Sequence, residues 1–359
     1  MARKKKELMK GNHALAEAAV RAGVEFYAGY PITPQSEILE YMSWRLPEAG
    51  GRFIQTESEI SGISMVYGAA MMGARVITSS SGPGFDLMQE GIGYIAASRL
   101  PFVVIDVVRI GAGLGMTTAA QGDYLQLAKN GAHGDYKCIV LTPGSLQEAV
   151  DFIPLAYEIT EKHYVPVIVA VDGSIAQMVE AVSFPDEITK HNRDKYDWAY
   201  KHKRGDGTRF RALESFFSDI PSEEWAERFT EKIDTIKEEE ARWEEYDVED
   251  ADVILVAYGT TSRLCREAVI KARKNGMKLG LIRPQTIWPF PEKAFRKNLP
   301  AKGYLTVELC DMPQMAEDVV MSVRGKAPVY AYAAGKAYPS IARIIEKAQD
   351  VMDGKMKEV

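Results

Sequence analysis

The chain has 359 residues, which is enough for two or three domains of ordinary size. Hydrophobic residues make up 46% of it, as in a globular protein with a large core. The 44 basic and 50 acidic residues give a net charge of −6, which argues against a general binder of nucleic acid or of anionic membranes. Because about 18 apolar residues never follow one another, we expect no membrane span.

The three cysteines, Cys138, Cys265 and Cys310, are far apart in the sequence. A zinc site or a cubane iron–sulfur cluster needs about four ligands that lie close together. We therefore expect neither a metal site nor a cluster in this chain. Sparse, unpaired cysteines are typical of a reducing compartment, so we expect a cytoplasmic protein.

From about residue 10 to residue 185, strand and helix patterns alternate. The predicted strands are 26–28, 53–56, 75–79, 102–107, 139–141 and 165–171. The predicted helices are 12–21, 31–45, 60–72, 85–97 and 146–160. The strand at 102–107 is taken as an apolar strand, as expected in a sheet that helices cover on both faces. Repeated strand–helix units of this length predict an α/β fold with a doubly wound parallel sheet.

A charged segment then interrupts the alternation. Residues 186–250 are rich in Lys, Arg, Glu, Asp and Trp, and we expect a linker or wrapping segment with an exposed helix near 223–245. A second, smaller α/β unit follows, with strands at 253–259, 279–282 and 305–308 and a helix at 262–274. The predicted domains are therefore 1–185 and 251–359, joined by 186–250.

Five polar or glycine-rich segments end strands of the first unit: 30–34, 56–59, 79–84, 109–115 and 131–135. Ligands of open parallel sheets bind at the carboxyl ends of the strands, so five such edges suggest a large ligand. Each segment alone could equally be a tight turn or a helix cap. The glycines of 111–115 do not have the spacing of a dinucleotide fingerprint, and the sequence has no phosphate-binding P-loop.

Four motifs in a fixed order carry a family resemblance. They are Gly-Tyr-Pro-Ile-Thr-Pro at 29–34, Glu-Ser-Glu at 57–59, Ser-Ser-Gly-Pro-Gly at 80–84, and Arg-Pro at 283–284 followed by Trp-Pro-Phe-Pro at 288–291. On these motifs, residues 8–185 and 250–345 resemble the alpha-type subunit of 2-oxoacid:ferredoxin oxidoreductases. Within that family the sequence is most similar to the subunit of the branched-chain enzyme, which acts on 3-methyl-2-oxobutanoate. That finer similarity rests on Arg109 and on the segments 113–115, 121–124 and 133–136.

The resemblance implies a pyrimidine-type thiamine diphosphate domain, followed by a domain like the C-terminal domain of transketolases. It assigns to Glu59 the contact with N1′ of the aminopyrimidine, although Glu57 stays open as the alternative. It also places Thr33 and Arg109 against the 2-oxoacid, whose carboxylate an arginine can bind with paired hydrogen bonds. Further cofactor contacts are expected at Pro31, Thr33, Ser81 and Gly82. The possible edge of the site comprises Gly113, Gly115, His133 and Asp135.

The reaction that the resemblance implies is the coenzyme A-dependent oxidative decarboxylation of a 2-oxoacid to acyl-CoA and CO2, with ferredoxin as the electron acceptor. The best candidates for the substrate are branched-chain 2-oxoacids. A 2-oxoglutarate- or pyruvate-specific member of the family is the alternative, and a noncatalytic assembly subunit is another.

The implied machinery is larger than this chain. A beta-type subunit should hold the diphosphate and Mg²⁺, because Gly205-Asp206-Gly207 lies in the charged segment with no Asn before Asn275 and is taken as a turn. We also expect a gamma-type subunit, a ferredoxin-like subunit with the iron–sulfur clusters, and external ferredoxin. Neither nucleic acid nor a membrane is expected as a partner.

Overall fold

The computed structural model describes residues 6–118, 120–196, 199 and 221–359, so the predicted turn at 205–207 lies outside the described residues. The described strands are β1 (Glu7–Lys10), β2 (Phe26–Gly29), β3 (Arg52–Gln55), β4 (Val76–Ser80), β5 (Phe102–Val108), β6 (Ile139–Leu141), β7 (Pro166–Asp172), β8 (Val179–Val182), β9 (Trp243–Tyr246), β10 (Val253–Val256), β11 (Leu279–Pro284), β12 (Thr286–Trp288), β13 (Gly303–Glu308) and β14 (Val329–Ala333). The described α-helices are α1 (Gly11–Arg21), α2 (Ser36–Glu48), α3 (Glu59–Met71), α4 (Pro83–Ala97), α5 (Tyr124–Lys129), α6 (Leu146–His163), α7 (Gly173–Gln177), α8 (Ser222–Glu240), α9 (Gly259–Lys274), α10 (Glu292–Phe295), α11 (Met315–Val323) and α12 (Ile341–Met352).

The larger sheet has seven strands in the order β12-β6-β7-β5-β4-β2-β3. All neighbours in it are parallel except β12, which runs antiparallel to β6. Every residue of the central strands β5 and β7 is buried. Helices on both faces supply that burial, and the predicted doubly wound α/β fold is confirmed.

Local sequence determines where the helices beside the site begin. Ser58 is the N-cap of α3, and its hydroxyl accepts a hydrogen bond from the N–H of Ser61. Helix α4 begins at Pro83, directly after Gly82, whose φ of +47° suits a glycine. These two starts place Glu59 in the first turn of α3 and Gly84 in the first turn of α4.

The smaller sheet has five strands in the order β14-β13-β10-β11-β9. Its edge strand β9 comes from the segment predicted as a charged linker and pairs antiparallel with β11. Strand β12 leaves this part of the chain and extends the larger sheet beside β6. The two α/β units are thus joined by strand pairing as well as by side chains, and our division at residues 185 and 250 stays a prediction.

The helix expected near 223–245 is α8, which ends at Glu240. Glu240 is buried against α6, where its carboxylate contacts Nε2 of His163 at 2.9 Å and Nζ of Lys162 at 3.1 Å. Helix α8 is therefore fixed to the first unit at its C-terminal end. None of the helices in the described ranges is long and apolar enough to cross a membrane.

Candidate active site

Glu59 is a buried carboxylate between the starts of two helices. Only 7% of the residue is exposed. Its Oε1 lies so close to Gly84 that a Cβ at that position would be 2.3 Å away, and the hydroxyl of Ser80 fills the other side of the same gap, at 2.5 Å. Within the described part of the chain no hydrogen bond reaches the Glu59 carboxylate. The Glu59 carboxylate can therefore still accept hydrogen bonds from a group placed in this gap.

Glu57, the alternative, has a different environment. It is exposed, and its carboxylate accepts a hydrogen bond from the hydroxyl of Ser61 one turn into α3. That bond holds the pKa of Glu57 below its usual value. Of the two glutamates, only Glu59 faces the gap beside Gly84.

Arg109 lies at the end of β5 and is 4% exposed. Its guanidinium donates to the carbonyl oxygen of Thr33, from Nε at 2.9 Å and also from a terminal nitrogen, and to the carbonyl oxygen of Leu114 at 2.8 Å. Three of its five N–H groups are thereby used. One on each terminal nitrogen has no acceptor among the described residues. Thr33 and Arg109 are thus brought together, but through the Thr33 carbonyl and not through its exposed hydroxyl side chain.

A cleft of about 290 Å³ opens beside Arg109. Its lining residues are Gly82, Pro83, Asp86, Arg109, Ile110, Gly111, Ala112, Gly113, Leu114, Gly115, Gly122, Asp123 and Gln126. Of the described residues, Arg109 is the only cation in this lining. Asp86 and Asp123 add negative charge to the lining, and the segment 110–115 contributes glycine and apolar side chains.

A carboxylic acid lies behind the cleft. Asp106, on β5, is fully buried, and neither of its oxygens has a partner among the described residues. Burial, reinforced by the negative charges of Asp123 and Asp86, raises the pKa of Asp106 well above its usual value, although Arg109 opposes the shift. Burial also raises the pKa of Asp123 to about 6, while the N–H of Arg109, which donates to Asp123 at 3.0 Å, lowers it.

The other predicted cofactor contacts differ in their surroundings. Gly82 packs against Arg109, since a Cβ there would be 2.8 Å from Cδ of the arginine. Ser81 is buried, and its hydroxyl donates to the carbonyl of Val107 at 2.6 Å. Pro31 is half-buried. Their contacts with a cofactor stay predictions.

The four residues predicted at the edge of the site separate into two pairs. Gly113 and Gly115 line the cleft, and both have a φ of +66°. His133 and Asp135 are exposed in the loop after α5 and do not line it.

Sequence reasoning overlooked Asp106, Ser80 and Asp123 as site residues. A signal for the first was present, because Asp106 interrupts the otherwise apolar run Phe-Val-Val-Ile-Asp-Val-Val of β5. Charged residues are almost never fully buried unless they are paired or functional, so an Asp inside such a strand indicates a site. Ser80 lies beside it, since Ser80 and Asp106 are partners in the pairing of β4 with β5. Its hydroxyl also has no partner within the described ranges.

Comparisons with family models and with individual proteins point to the same family. Residues 17–247 match the model for the thiamine diphosphate-binding domain of pyruvate flavodoxin/ferredoxin oxidoreductases, and residues 251–342 match core domain II of pyruvate:ferredoxin oxidoreductase. The ketoisovalerate oxidoreductase subunit VorB of Methanothermobacter marburgensis is 44% identical over 320 residues, covering 88% of this chain and 89% of that one. The 2-oxoglutarate synthase subunit KorA of Methanocaldococcus jannaschii is 38% identical over 327 residues, covering 85% and 88%.

A solved structure is also similar. The 2-oxoglutarate:ferredoxin oxidoreductase from Magnetococcus marinus, with 2-oxoglutarate, coenzyme A and succinyl-CoA bound, superposes with a TM-score of 0.83 at 26% identity. The match covers 97% of this chain and 66% of that longer chain. The chain belongs to the 2-oxoacid:ferredoxin oxidoreductase family, as a subunit that carries its thiamine diphosphate-binding domain and its core domain II.

Proposed function

We propose that this chain is the subunit that holds the aminopyrimidine end of thiamine diphosphate in a complex that oxidatively decarboxylates branched-chain 2-oxoacids to acyl-CoA. The observation that carries the proposal is the Glu59 carboxylate, buried between the starts of α3 and α4. Arg109 ends a neighbouring strand, close enough for the charges of the two groups to interact. One half of a cofactor site and a cation for the substrate therefore lie side by side.

The unpartnered polar atoms fit the cofactor. An aminopyrimidine offers a ring nitrogen and an exocyclic amino group, which need an acid or acceptor on one edge and polar partners on the other. The Ser80 hydroxyl and Asp106 are buried polar groups without partners among the described residues. No described residue donates a hydrogen bond to the Glu59 carboxylate. When bound, the cofactor would supply the thiazolium carbon that attacks the ketone, while the protein positions and polarises it. Glu59 would hold a proton at N1′.

Arg109 is suited to the carboxylate of a 2-oxoacid. The N–H groups left on its two terminal nitrogens can donate to the two oxygens of one carboxylate. The carbonyls of Thr33 and Leu114 fix the guanidinium plane, so little side-chain freedom is lost when the substrate binds.

The cleft favours a substrate with one carboxylate and an apolar chain. A second carboxylate, as in 2-oxoglutarate, would face Asp86 and Asp123 and would find no second cation among the lining residues that the structure describes. Repulsion between like charges in a partly desolvated cleft costs up to several kcal/mol, so it would disfavour a substrate with a second carboxylate. Ile110, Ala112 and Leu114 offer apolar surface to an isopropyl group. The 44% identity with a ketoisovalerate oxidoreductase subunit supports the same choice.

The missing half of the site requires a partner subunit. Beside Glu59, helices α3 and α4 expose Ile60, Met65, Leu87 and Tyr94, which we call the α3–α4 face. The two helices pack against each other, and several large exposed apolar side chains on neighbouring helices are typical of a protein interface. We propose that the beta-type subunit, with the diphosphate and Mg²⁺ site, covers this face. The iron–sulfur clusters would belong to a ferredoxin-like subunit, which with a gamma-type subunit completes a cytoplasmic complex that reduces ferredoxin.

The substrate proposal is tested with the complex purified through a tag on this chain. Ferredoxin reduction with coenzyme A is measured on 3-methyl-2-oxobutanoate, pyruvate and 2-oxoglutarate. We expect the first to have a kcat/KM at least about tenfold above 2-oxoglutarate, the effect of about 1.4 kcal/mol. A preference for 2-oxoglutarate would contradict the assignment of the acidic cleft.

The interface proposal is tested by copurification. Ile60→Asp on the α3–α4 face should release the partner subunit, because it buries a charge in an apolar contact. Ile270→Asp, at an exposed isoleucine of α9, is the matched control and should leave the complex intact. Retention of the partner by Ile60→Asp would overturn the proposed interface.

A further inference from the structure

The segment Gln121–Tyr124 joins the Arg109 cleft to the second α/β unit. It was singled out in the sequence only because it resembles the branched-chain enzyme. In the fold it lies between the end of β5, where Arg109 is, and the carboxyl ends of β10 and β13. Its residues form hydrogen bonds both to the backbone of Arg109 and to the second α/β unit.

On the cleft side, the segment forms hydrogen bonds with both the N–H and the carbonyl of Arg109. The N–H of Arg109 donates to a carboxylate oxygen of Asp123 at 3.0 Å, and the N–H of Gly122 donates to the carbonyl of Arg109, also at 3.0 Å. Gly122 has to be small, since a Cβ there would be 2.8 Å from both the Arg109 carbonyl and Cα of Ile110. The position of Arg109 therefore depends on where residues 122 and 123 are held.

On the other side, Gln121 is bonded to the second unit through both its backbone and its side chain. Its N–H donates to the carbonyl of Leu309 at 2.7 Å, and its Oε1 accepts from the N–H of Leu309 at 3.0 Å. Its Nε2 donates to the carbonyl of Tyr258 at 2.9 Å. Gln121 is 1% exposed, so water does not compete for these bonds.

Gln314, directly before α11, makes a second attachment. Its Nε2 donates to the carbonyl of Gly122 at 2.9 Å, and its Oε1 accepts from the N–H of Leu125 at 3.0 Å. The hydroxyl of Tyr124 donates to Asp318 of α11 at 2.7 Å. The residues that hold Arg109 are thus themselves held from α11 and from the end of β13.

We propose that the second α/β unit positions Arg109 for the 2-oxoacid, with Gln121 and Gln314 as positioning residues. The proposal rests on the proposed function, because it takes Arg109 as the group that binds the substrate carboxylate. Misplacing a binding group by about 1 Å can cost up to about 10²-fold in rate. The second unit therefore acts on substrate affinity without touching the substrate.

The test uses the whole complex and Gln314→Ala. We expect KM for 3-methyl-2-oxobutanoate to rise about tenfold, with kcat at saturation within about twofold, because the guanidinium is displaced only until substrate binds it. Exchange of the C2 proton of thiamine diphosphate, measured without 2-oxoacid, should stay within about twofold. Arg263→Ala is the matched control: it removes an interdomain contact with Glu180, at 3.2 Å on β8, away from this segment. Its KM should not change.

Arg109→Ala in the same assay separates the positioning role of Gln314 from the substrate-binding role of Arg109. If it raises KM and Gln314→Ala does not, the positioning role is wrong and the substrate assignment stands. If Arg109→Ala leaves KM unchanged, the substrate assignment itself fails.

Should Gln314→Ala not assemble, Tyr124→Phe replaces it, since that change removes only the hydroxyl bond to Asp318. A KM raised about two- to fivefold supports the proposal, and an unchanged KM contradicts it.

Discussion

The carboxylate of Glu59 lies against the bare Cα of Gly84, in a gap that a single methyl group would fill. A Cβ at residue 84 would be 2.3 Å from Oε1 of Glu59 and 2.5 Å from Oγ of Ser80. We therefore predict that Gly84→Ala displaces Glu59 and slows exchange of the C2 proton of thiamine diphosphate by about tenfold or more, as expected when a proton-transfer group is misplaced.

The control for that prediction is Gly68→Ala on the exposed side of α3. A Cβ there meets no atom within 4 Å. Because alanine favours helix by up to about 1 kcal/mol over glycine, this variant should be as stable as the wild type or more so, with unchanged exchange. Equal exchange rates in both variants would show that Glu59 does not depend on the space at Gly84.

Arg109→Ala should weaken binding of the 2-oxoacid far more than binding of the cofactor. The substrate carboxylate would lose a charged partner in a partly desolvated cleft, at a cost on the order of 2–4 kcal/mol. Arg109→Lys should recover only part of this, because an ammonium cannot donate to the Thr33 and Leu114 carbonyls while binding a carboxylate with two parallel bonds. Steady-state KM and calorimetric cofactor binding are the measurements, and an unchanged KM in Arg109→Ala would refute the role.

We predict that Asp106 does not need to be ionised for activity. Burial and the charges of Asp123 and Asp86 raise its pKa, and neither oxygen has a donor within the described residues. A neutral amide of the same shape should then be tolerated, so we expect Asp106→Asn to keep kcat/KM within about fivefold, a change of about 1 kcal/mol. A loss of 10²-fold at pH 7, with the complex intact, would mean that the ionised carboxylate is required.

Asp172 predicts a pH dependence of stability. It lies at the end of β7, where its carboxylate accepts a bond from the N–H of Thr260 at the start of α9. Burial raises its pKa from 3.8 to about 6, against the effect of that bond. Between about pH 4 and pH 6 the folded protein holds a proton that the unfolded chain has released. This contribution to stability is therefore complete below about pH 4 and lost as the pH rises through 6.

Asp172→Asn cannot titrate and should lack this trend. We expect its Tm, relative to the wild type, to rise between pH 4 and pH 7, by an amount equivalent to on the order of 1–3 kcal/mol. Thermal unfolding of the purified complex at matched ionic strength is the measurement. A difference in Tm that stays constant across this range would contradict the raised pKa.

Most of the fold could be predicted because the first unit alternates short apolar strands with helices. The strands at 102–107 and 165–171 correspond to β5 and β7 to within one residue, since both are buried on two faces. Strand β12 was missed, because three residues carry no periodic signal and their pairing with β6 is a long-range contact. Strand β9 was missed because its Glu244 and Glu245 suggested a continuing charged helix, whereas charges are also common on edge strands.

For the candidate site, the sequence supplied candidate residues but not their burial or their hydrogen bonds. The Glu-Ser-Glu motif pointed to Glu59, with Glu57 as the alternative, and the finer resemblance pointed to Arg109. The sequence could not show that Glu59, in the first turn of α3, is buried whereas Glu57 is exposed. The bonds from Arg109 to the carbonyls of Thr33 and Leu114 have no sequence signal, since any residue supplies a carbonyl. The role of Gln314 is likewise invisible, because it lies about 200 residues from the segment that it holds.

The measurement that tests the central claim most directly compares Glu59→Gln with Glu57→Gln in the assembled complex. Glu59 is buried in the gap beside Gly84, whereas Glu57 is exposed and bonded to Ser61. Exchange of the C2 proton of thiamine diphosphate is followed by quenched-flow labelling in deuterium oxide. Glu59→Gln should slow it by about 10²-fold or more, and Glu57→Gln by little. The opposite ranking would assign the role to Glu57, and unchanged rates in both variants would contradict the pyrimidine site altogether.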